Sequence, residues 1–353
     1  MGDAFQTGTW PPRRERRDEP VSLISVVVPL YNEEGNVAEL VRRLLGILHE
    51  VATLRGDDFE IVLVNDGSRD GTLAALRRER LTESRLVIVN LSRNFGHQIA
   101  ATAGLETARG DAVILMDGDL QDPPELAAAF LERWRDGYDV VYATRRQRAG
   151  ESRFKLITAR LFYQTIRRLT NVAIPVDTGD FRLMSRRVVD ALGQTRERHR
   201  FLRGLVSWVG FEQIGVAYDR DARYSGSTKY PFSKMLRFAI DGITSFSEIP
   251  LRFASYLGFV VSITAFAVGI FEILLRIFTG YNLPGYTSLI FAVLFLGGVQ
   301  LVGLGILGEY VGRISDQVKG RPLYFIAKVE RDDDPPVGAG PDRDALRAGR
   351  AVL

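Results

Sequence analysis

The chain has 353 residues, with 46 Lys and Arg against 43 Asp and Glu, no Cys and three His. That length suits one sizeable globular domain with appendages, and the missing Cys excludes disulfides, a thiolate nucleophile and Cys-ligated zinc. His49, His97 and His199 lack metal-ligand spacing, so oxygen-ligated metal is what remains, and a net charge of +3 is no field for a nucleic-acid partner; none is expected.

Residues 1–21 set Arg13, Arg14, Arg16 and Arg17 among Pro, Gly and acidic residues, without the apolar stretch of a signal peptide. They read as a disordered tail. Ser22 to Leu30 is a β-branched run that predicts a buried parallel strand, and Tyr31 to Asn36 then opens a helical pattern reaching about His49. The same unit recurs at Glu60 to Asn65, followed by Asp66-Gly67-Ser68-Arg69-Asp70-Gly71-Thr72 and a helix. It recurs again at Arg85 to Asn90, followed by a small-residue helix through Ala108, and a fourth time at Ala112 to Met116. Four strands alternating with helices predict an α/β domain with an open, mainly parallel sheet and helices on both faces. In such a sheet ligands collect beyond the carboxyl ends of the strands.

At the fourth of these ends stands Asp117-Gly118-Asp119-Leu120-Gln121-Asp122. Two carboxylates two residues apart, with an amide two further on, are hard oxygen donors for Mg²⁺ or Mn²⁺ alongside substrate phosphates. An Asp-x-Asp by itself is more often a solvated turn, so its surroundings must carry the assignment. Asp66 to Gly71 resembles the start of a calcium loop, but position twelve is Arg77 where a Glu is needed.

From about Arg145 the pattern changes. Residues 152–170 form an apolar and basic helical pattern, suited to an anionic membrane surface, with an ordinary packed helix as the alternative. A second amphipathic pattern covers 231–250. Residues 254–278 and 286–308 are each long enough to span a bilayer and together predict a transmembrane hairpin over 251–312. Arg237, Arg252, Arg313, Lys319 and Arg321 flank its outer ends, whereas the short connection has no Lys or Arg. That bias places the catalytic domain and both termini in the cytoplasm, with the hairpin in the inner (plasma) membrane. Gly303-Leu304-Gly305-Ile306-Leu307-Gly308 mimics a dinucleotide fingerprint, but inside an apolar span it reads as helix packing. Gly308-x-x-x-Gly312 is a weak signal for a homo-oligomer through these helices. Residues 313–329 read as a cytoplasmic segment and 330–353 as a disordered tail.

Taken together, Val26-Val27-Val28-Pro29-Leu30-Tyr31-Asn32-Glu33-Glu34, Asn65 to Thr72, Asp117 to Glu125, Thr178-Gly179-Asp180-Phe181-Arg182-Leu183 and the hairpin resemble the family 2 glycosyltransferases of GT-A fold. Within them the chain is similar to the polyprenyl-phosphate glycosyltransferases related to dolichyl-phosphate mannose synthase, and the resemblance covers roughly residues 22–325. It implies a catalytic domain over 22–230. Pro29, Tyr31, Glu33 and Asp66 would hold the nucleotide, Asp66 accepting from a base N–H, and Gly118 would line the same site. Asp117, Asp119 and Gln121 would hold Mg²⁺ or Mn²⁺ on the diphosphate. Arg145, Arg223 and Lys229 match positions of the anionic environment, and Arg223 to Tyr230 reads as a loop that folds over the donor. The implied acceptor is a polyprenyl phosphate and the implied donor a nucleotide sugar, UDP-glucose ahead of GDP-mannose and other UDP-sugars.

A phosphate monoester, with a second pKa of ~6, is mostly dianionic at neutral pH and needs little help from a base. Asp119 and Asp180 are the catalytic candidates, Asp180 as a base or an orienting group beside the attacking oxygen. Arg182 and Arg153 are candidates for the acceptor phosphate, and a local Asp180–Arg182 ion pair is the bland alternative. The competing functions are a processive polysaccharide synthase, which would carry Gln-x-x-Arg-Trp, and a catalytically silent nucleotide-sugar-binding membrane scaffold.

Overall fold

A computed structural model describes residues 23–53, 56–145, 178–198, 200–218, 249–279 and 285–332. The expected helix at 152–170, the expected helix at 231–250 up to residue 248, the two tails up to 22 and from 333, and Arg153, Arg223 and Lys229 lie outside the described residues. So does the side chain of Arg145.

Eight strands form one sheet: β1 Leu23–Leu30, β2 Asp58–Asn65, β3 Leu86–Leu91, β4 Ala112–Leu115, β5 Val140–Arg145, β6 Thr178–Ser185, β7 Gln213–Tyr218 and β8 Ile326–Glu330. The helices are α1 Val37–Thr53, α2 Thr72–Arg80, α3 His97–Thr107, α4 Leu126–Arg135, α5 Arg186–Gln194, α6 Leu202–Trp208, α7 Ile249–Thr279 and α8 Tyr286–Val318. The strand order is β7-β5-β6-β4-β1-β2-β3-β8. β1/β2, β1/β4, β2/β3 and β5/β7 pair in parallel, and β4/β6, β5/β6 and β3/β8 antiparallel.

Each central strand is apolar on both faces, so alternate residues feed two cores. Val26 and Val28 pack with Leu40, Leu44 and Leu48 of α1 and Phe130 of α4. Val27, Val62 and Val64 face α3, α5 and α6. Each such fully buried Val or Leu contributes about 1.5–3 kcal/mol relative to exposure. The small residues of α3 have a steric cause: a Cβ on Gly104 would stand 2.3 Å from Val27 Cγ1, so α3 lies directly on the sheet.

Four strands were legible as apolar runs, and β5 to β8 were not. β6 carries Asp180 and Arg182, which look like loop residues, yet it is buried along its whole length between β4 and β5. β8 follows the hairpin and adds to the opposite edge. There Ser92 N–H donates to Phe325 O at 2.9 Å, Arg77 pairs with Glu330 at 2.7 Å, Arg80 with Asp332 at 2.9 Å, and Arg331 with Glu60 at 3.2 Å. Residues 326–332 therefore dock on the sheet domain, where the sequence predicts a separate segment up to 329 and a disordered tail from 330.

α7 and α8 contain apolar windows, Ala254–Phe271 and Phe291–Val318, long enough to cross a membrane, and neither window is buried against the rest of the protein. α8 runs ten residues past the expected span, with Glu309 and Arg313 paired at 2.9 Å. Its end meets the sheet domain: Gln317 accepts from Arg198 N–H at 3.0 Å and donates to Arg196 O at 2.9 Å.

Candidate active site

The loops after β1, β2 and β3 are stitched side by side. Asn32 N–H donates to Ser68 Oγ and Arg69 N–H to Asn32 Oδ1, at 3.0 and 2.8 Å. Glu33 N–H donates to Thr72 Oγ1 and Gly71 N–H to Glu34 Oε2, at 2.9 and 3.0 Å. Pro29 is buried near the end of β1, Tyr31 stands 41% exposed at the rim, and Glu33 accepts from Asn36 Nδ2 at 2.5 Å. Asn32 and Leu120 hold φ of 56° and 57°. Non-glycine residues in the left-handed region at the ends of two adjacent strands are a signature of a functional rim.

Asp66 is buried, and both its oxygens accept backbone donors, Phe95 N–H at 2.7 Å and Gly96 N–H at 2.9 Å. Burial pushes its carboxyl up, against those two donors. Asp66 thus shapes the turn that delivers His97, the first residue of α3, to the site; acceptance from a base N–H would use its remaining lone pairs. Gly118 has a packing role, since a Cβ there would meet Leu30 Cδ2 at 2.3 Å.

The β4/β6 register pairs Leu115 with Arg182, and continuing it two residues past the strand end sets Asp117 opposite Asp180. His97 Nε2 completes the group, 3.3 Å from Asp117 Oδ1 and 3.3 Å from Asp180 Oδ2. One donor atom from each of the three lies within 4.8 Å of the others. Burial pushes the Asp117 carboxyl up to about 6; His97 opposes the shift, and the charges of Asp180, Asp122 and Asp119 add to it. Burial works against a charge on His97, but the bond to Asp180 and the charges of Asp117 and Asp180 push its pKa up to about 9.

Asp119 is not in this three-residue group: its Oδ1 accepts Gln121 N–H at 3.2 Å, closing the turn. Asp122, buried, accepts from Tyr218 OH at the end of β7. Asp117 Oδ1 is buried and faces His97 Nε2 at 3.3 Å as a charge partner, but accepts no hydrogen bond. A cation fits this donor set, because it would satisfy that oxygen and lower the repulsion among the carboxylates. Asp117, with Asp119 and Gln121 beside it on the turn, would hold it.

Asp180 is paired with Arg203, not with Arg182. Arg203 Nε reaches Asp180 Oδ1 at 2.7 Å, and Gln98 Nε2 reaches Oδ2 at 3.2 Å. Burial would raise the carboxyl, but Arg203 and His97 hold it well below the usual range, so it is a poor proton acceptor and an effective orienting group. Arg182 turns inward and donates to Gly179 O at 2.9 Å and Asp180 O at 3.4 Å. Burial brings its pKa down to about 10, against the charge of Asp180. That buried arginine shapes the β6 backbone and is poorly placed for an acceptor phosphate. His97, Gln98 and Arg203 were missed by sequence reading. The only signal was a polar His-Gln pair opening an otherwise small-residue helix.

The model of glycosyl transferase family 2 matches residues 25–193. An uncharacterized glycosyltransferase of Synechocystis sp. is 51% identical over 306 residues, covering 87% of this chain and 95% of that protein. The chain belongs to glycosyltransferase family 2. It is therefore a glycosyltransferase, and its sheet is the open, mixed parallel and antiparallel α/β sheet described above, where the sequence predicted a mainly parallel one. Other family members at comparable reach are a prophage bactoprenol glucosyl transferase homolog of Escherichia coli, 42% identical over 87% of this chain and 99% of its own length, and the bactoprenol glucosyl transferase of Shigella phage SfX, 41% identical over 86% and 98%. Among solved structures, a mannosyltransferase of Pyrobaculum calidifontis in complex with GDP-Man and Mn²⁺ is 18% identical, with a TM-score of 0.42, over 86% of this chain and 80% of its own.

Proposed function

We propose that this glycosyltransferase moves one sugar, with inversion, from a nucleotide sugar to a membrane-held polyprenyl phosphate, with UDP-glucose the favoured donor and GDP-mannose or another UDP-sugar behind it. The observation that supports the reading is the buried Asp117 oxygen that accepts no hydrogen bond, crowded by Asp119, Asp122 and Asp180 at the carboxyl rim, in a chain with two apolar helices. Relatives named bactoprenol glucosyl transferases support both the acceptor class and glucose.

Bound Mg²⁺ or Mn²⁺ would stabilise negative charge on the departing diphosphate. The chain's own residues do the rest. Asp117, Asp119 and Gln121 present oxygens at the rim, while Pro29, Tyr31, Glu33, Asp66 and Gly118 form the nucleotide cradle. Arg145, Arg223 and Lys229 are the cations assigned to the diphosphate, and Arg153 the one assigned to the acceptor phosphate. That acceptor arrives already dianionic, so catalysis is mainly positioning, and Asp180 orients rather than removes a proton.

The hairpin holds the rim near headgroup height, with the catalytic domain and both termini in the cytoplasm. Gly308 and Gly312 leave a bare stripe suited to a homo-oligomer. The test is incubation of membranes carrying the protein with labelled nucleotide sugars, polyprenyl phosphate and Mn²⁺ or Mg²⁺. Metal-dependent label in a lipid monophosphate sugar is the expected result, and no transfer from any donor sinks the reading. A reporter fused after Leu353 should report cytoplasm; a signal from the other face overturns the topology.

A further inference from the structure

Asp180 is encircled by donors from two helices. Arg203 of α6 holds one oxygen at 2.7 Å, and Gln98 and His97 of α3 approach the other at 3.2 and 3.3 Å. Gln98 also accepts Leu202 N–H at 2.9 Å, locking the start of α6 against the start of α3. The Asp180 side chain is 6% exposed and that of His97 is 42% exposed, so the group is anchored behind and open in front.

A carboxylate held by an arginine remains an anion. An ionised carboxylate only accepts, as does a phosphate oxygen, so Asp180 itself has no hydrogen bond to offer the diphosphate or the acceptor phosphate. A neutral hydroxyl suits it well: the carboxylate accepts the O–H hydrogen, and the adjacent imidazole bonds the same or the neighbouring hydroxyl. Asp117, on the diphosphate-binding turn, is the neighbour of both residues across the β4/β6 register. In a nucleotide sugar the diphosphate joins the nucleoside at one end to the donor sugar at the other, and with the nucleoside end taken by the loops after β1 to β3, the sugar end is what reaches this group.

We propose that Asp180 and His97 read a hydroxyl of the donor sugar and so determine which sugar is transferred, with Arg203 and Gln98 as the positioning residues behind them. This rests on the nucleotide-sugar reading above. It makes the antiparallel strand β6 the sugar-selecting element and leaves nucleotide selection to the loops after β1 to β3.

The test measures dissociation constants of the full chain in detergent with Mn²⁺ for UDP, UDP-glucose and the 2-, 3-, 4- and 6-deoxy analogues of UDP-glucose. The wild type should bind at least one deoxy analogue about 10- to 100-fold more weakly than UDP-glucose, the range for a hydrogen bond to a charged group. Asp180→Asn should lose that preference by weakening UDP-glucose alone, with UDP itself unchanged within about twofold. His97→Gln, at the exposed side of the group, should reduce the same preference, and it carries the comparison if Asp180→Asn does not fold. Equal binding of all four analogues and UDP-glucose by the wild type overturns the inference. So does a loss of UDP affinity as large as the loss of UDP-glucose affinity in both variants. Absence of any binding of UDP and UDP-glucose by the wild type overturns the UDP-sugar reading and this inference together, whereas the preceding outcomes leave that reading standing.

Discussion

The two rims of one sheet treat carboxylates in opposite ways. At the amino rim each has its partner: Asp57 takes Arg135, Asp111 takes Leu23 N–H, and Asp139 takes Ser185 OH and Arg187. Glu60 accepts Ser25 OH and Arg109 N–H, both at 2.6 Å, and pairs with Arg331. At the carboxyl rim Asp117 has a buried oxygen that accepts no hydrogen bond, and although His97 stands 3.3 Å from it, three other aspartates crowd it. The first rim secures the fold. The second crowds carboxylates into one place, and such crowding at a strand end is a mark of a candidate functional site.

The sharpest way to break this contrast is to remove one carboxylate from each rim. Asp119→Asn should cut sugar transfer by about 10²–10³-fold or more while the protein stays folded and membrane-bound, measured as labelled lipid product. Wild-type turnover would show the metal-holding residues are misassigned. Glu60→Gln, by contrast, breaks the charge pair with Arg331 and should cost about 3–5 kcal/mol of stability, read by thermal unfolding in detergent, with KM for the donor unchanged in the folded fraction.

A pH titration sharpens the same comparison. Folded Asp117 keeps its proton up to about 6, against 3.8 for an ordinary aspartate. Between those values the folded state binds more protons than the unfolded one. Metal-free protein should therefore lose stability as pH rises through that window. Asp117→Asn or saturating Mn²⁺ should flatten the slope; an unchanged slope in Asp117→Asn assigns it to other groups. The smallest effect belongs to the β8 edge. Arg77→Ala removes a pair whose arginine is 48% exposed and should cost about 0.2–1 kcal/mol, with no change in transfer.

Much of the carboxyl rim was legible because its residues are local in sequence. Asp117 to Gln121 follow a short apolar strand, and Asp66 follows another, so a strand-then-turn reading places both. His97 and Arg203 were not legible, since their meaning depends on Asp180, which lies 83 and 23 residues away. Asp180 and Arg182 were legible as a motif but not as partners. Strand alternation sends them to the same face, yet Arg182 turns back to the β6 carbonyls and Arg203 takes the carboxylate.

From its sequence alone the protein was already an α/β domain with four β-α units, a rim of oxygen donors after the strands and two long apolar stretches. Each of these is written in short-range periodicity, and short-range hydrophobic pattern is what strands and helices answer to. The tertiary structure alone decided that a polar-looking stretch becomes the buried strand β6, and that residues after the hairpin return as β8. It alone brought His97, Asp117, Asp180 and Arg203 to one point. Those outcomes depend on register and on charge pairs between distant segments, which no local pattern encodes.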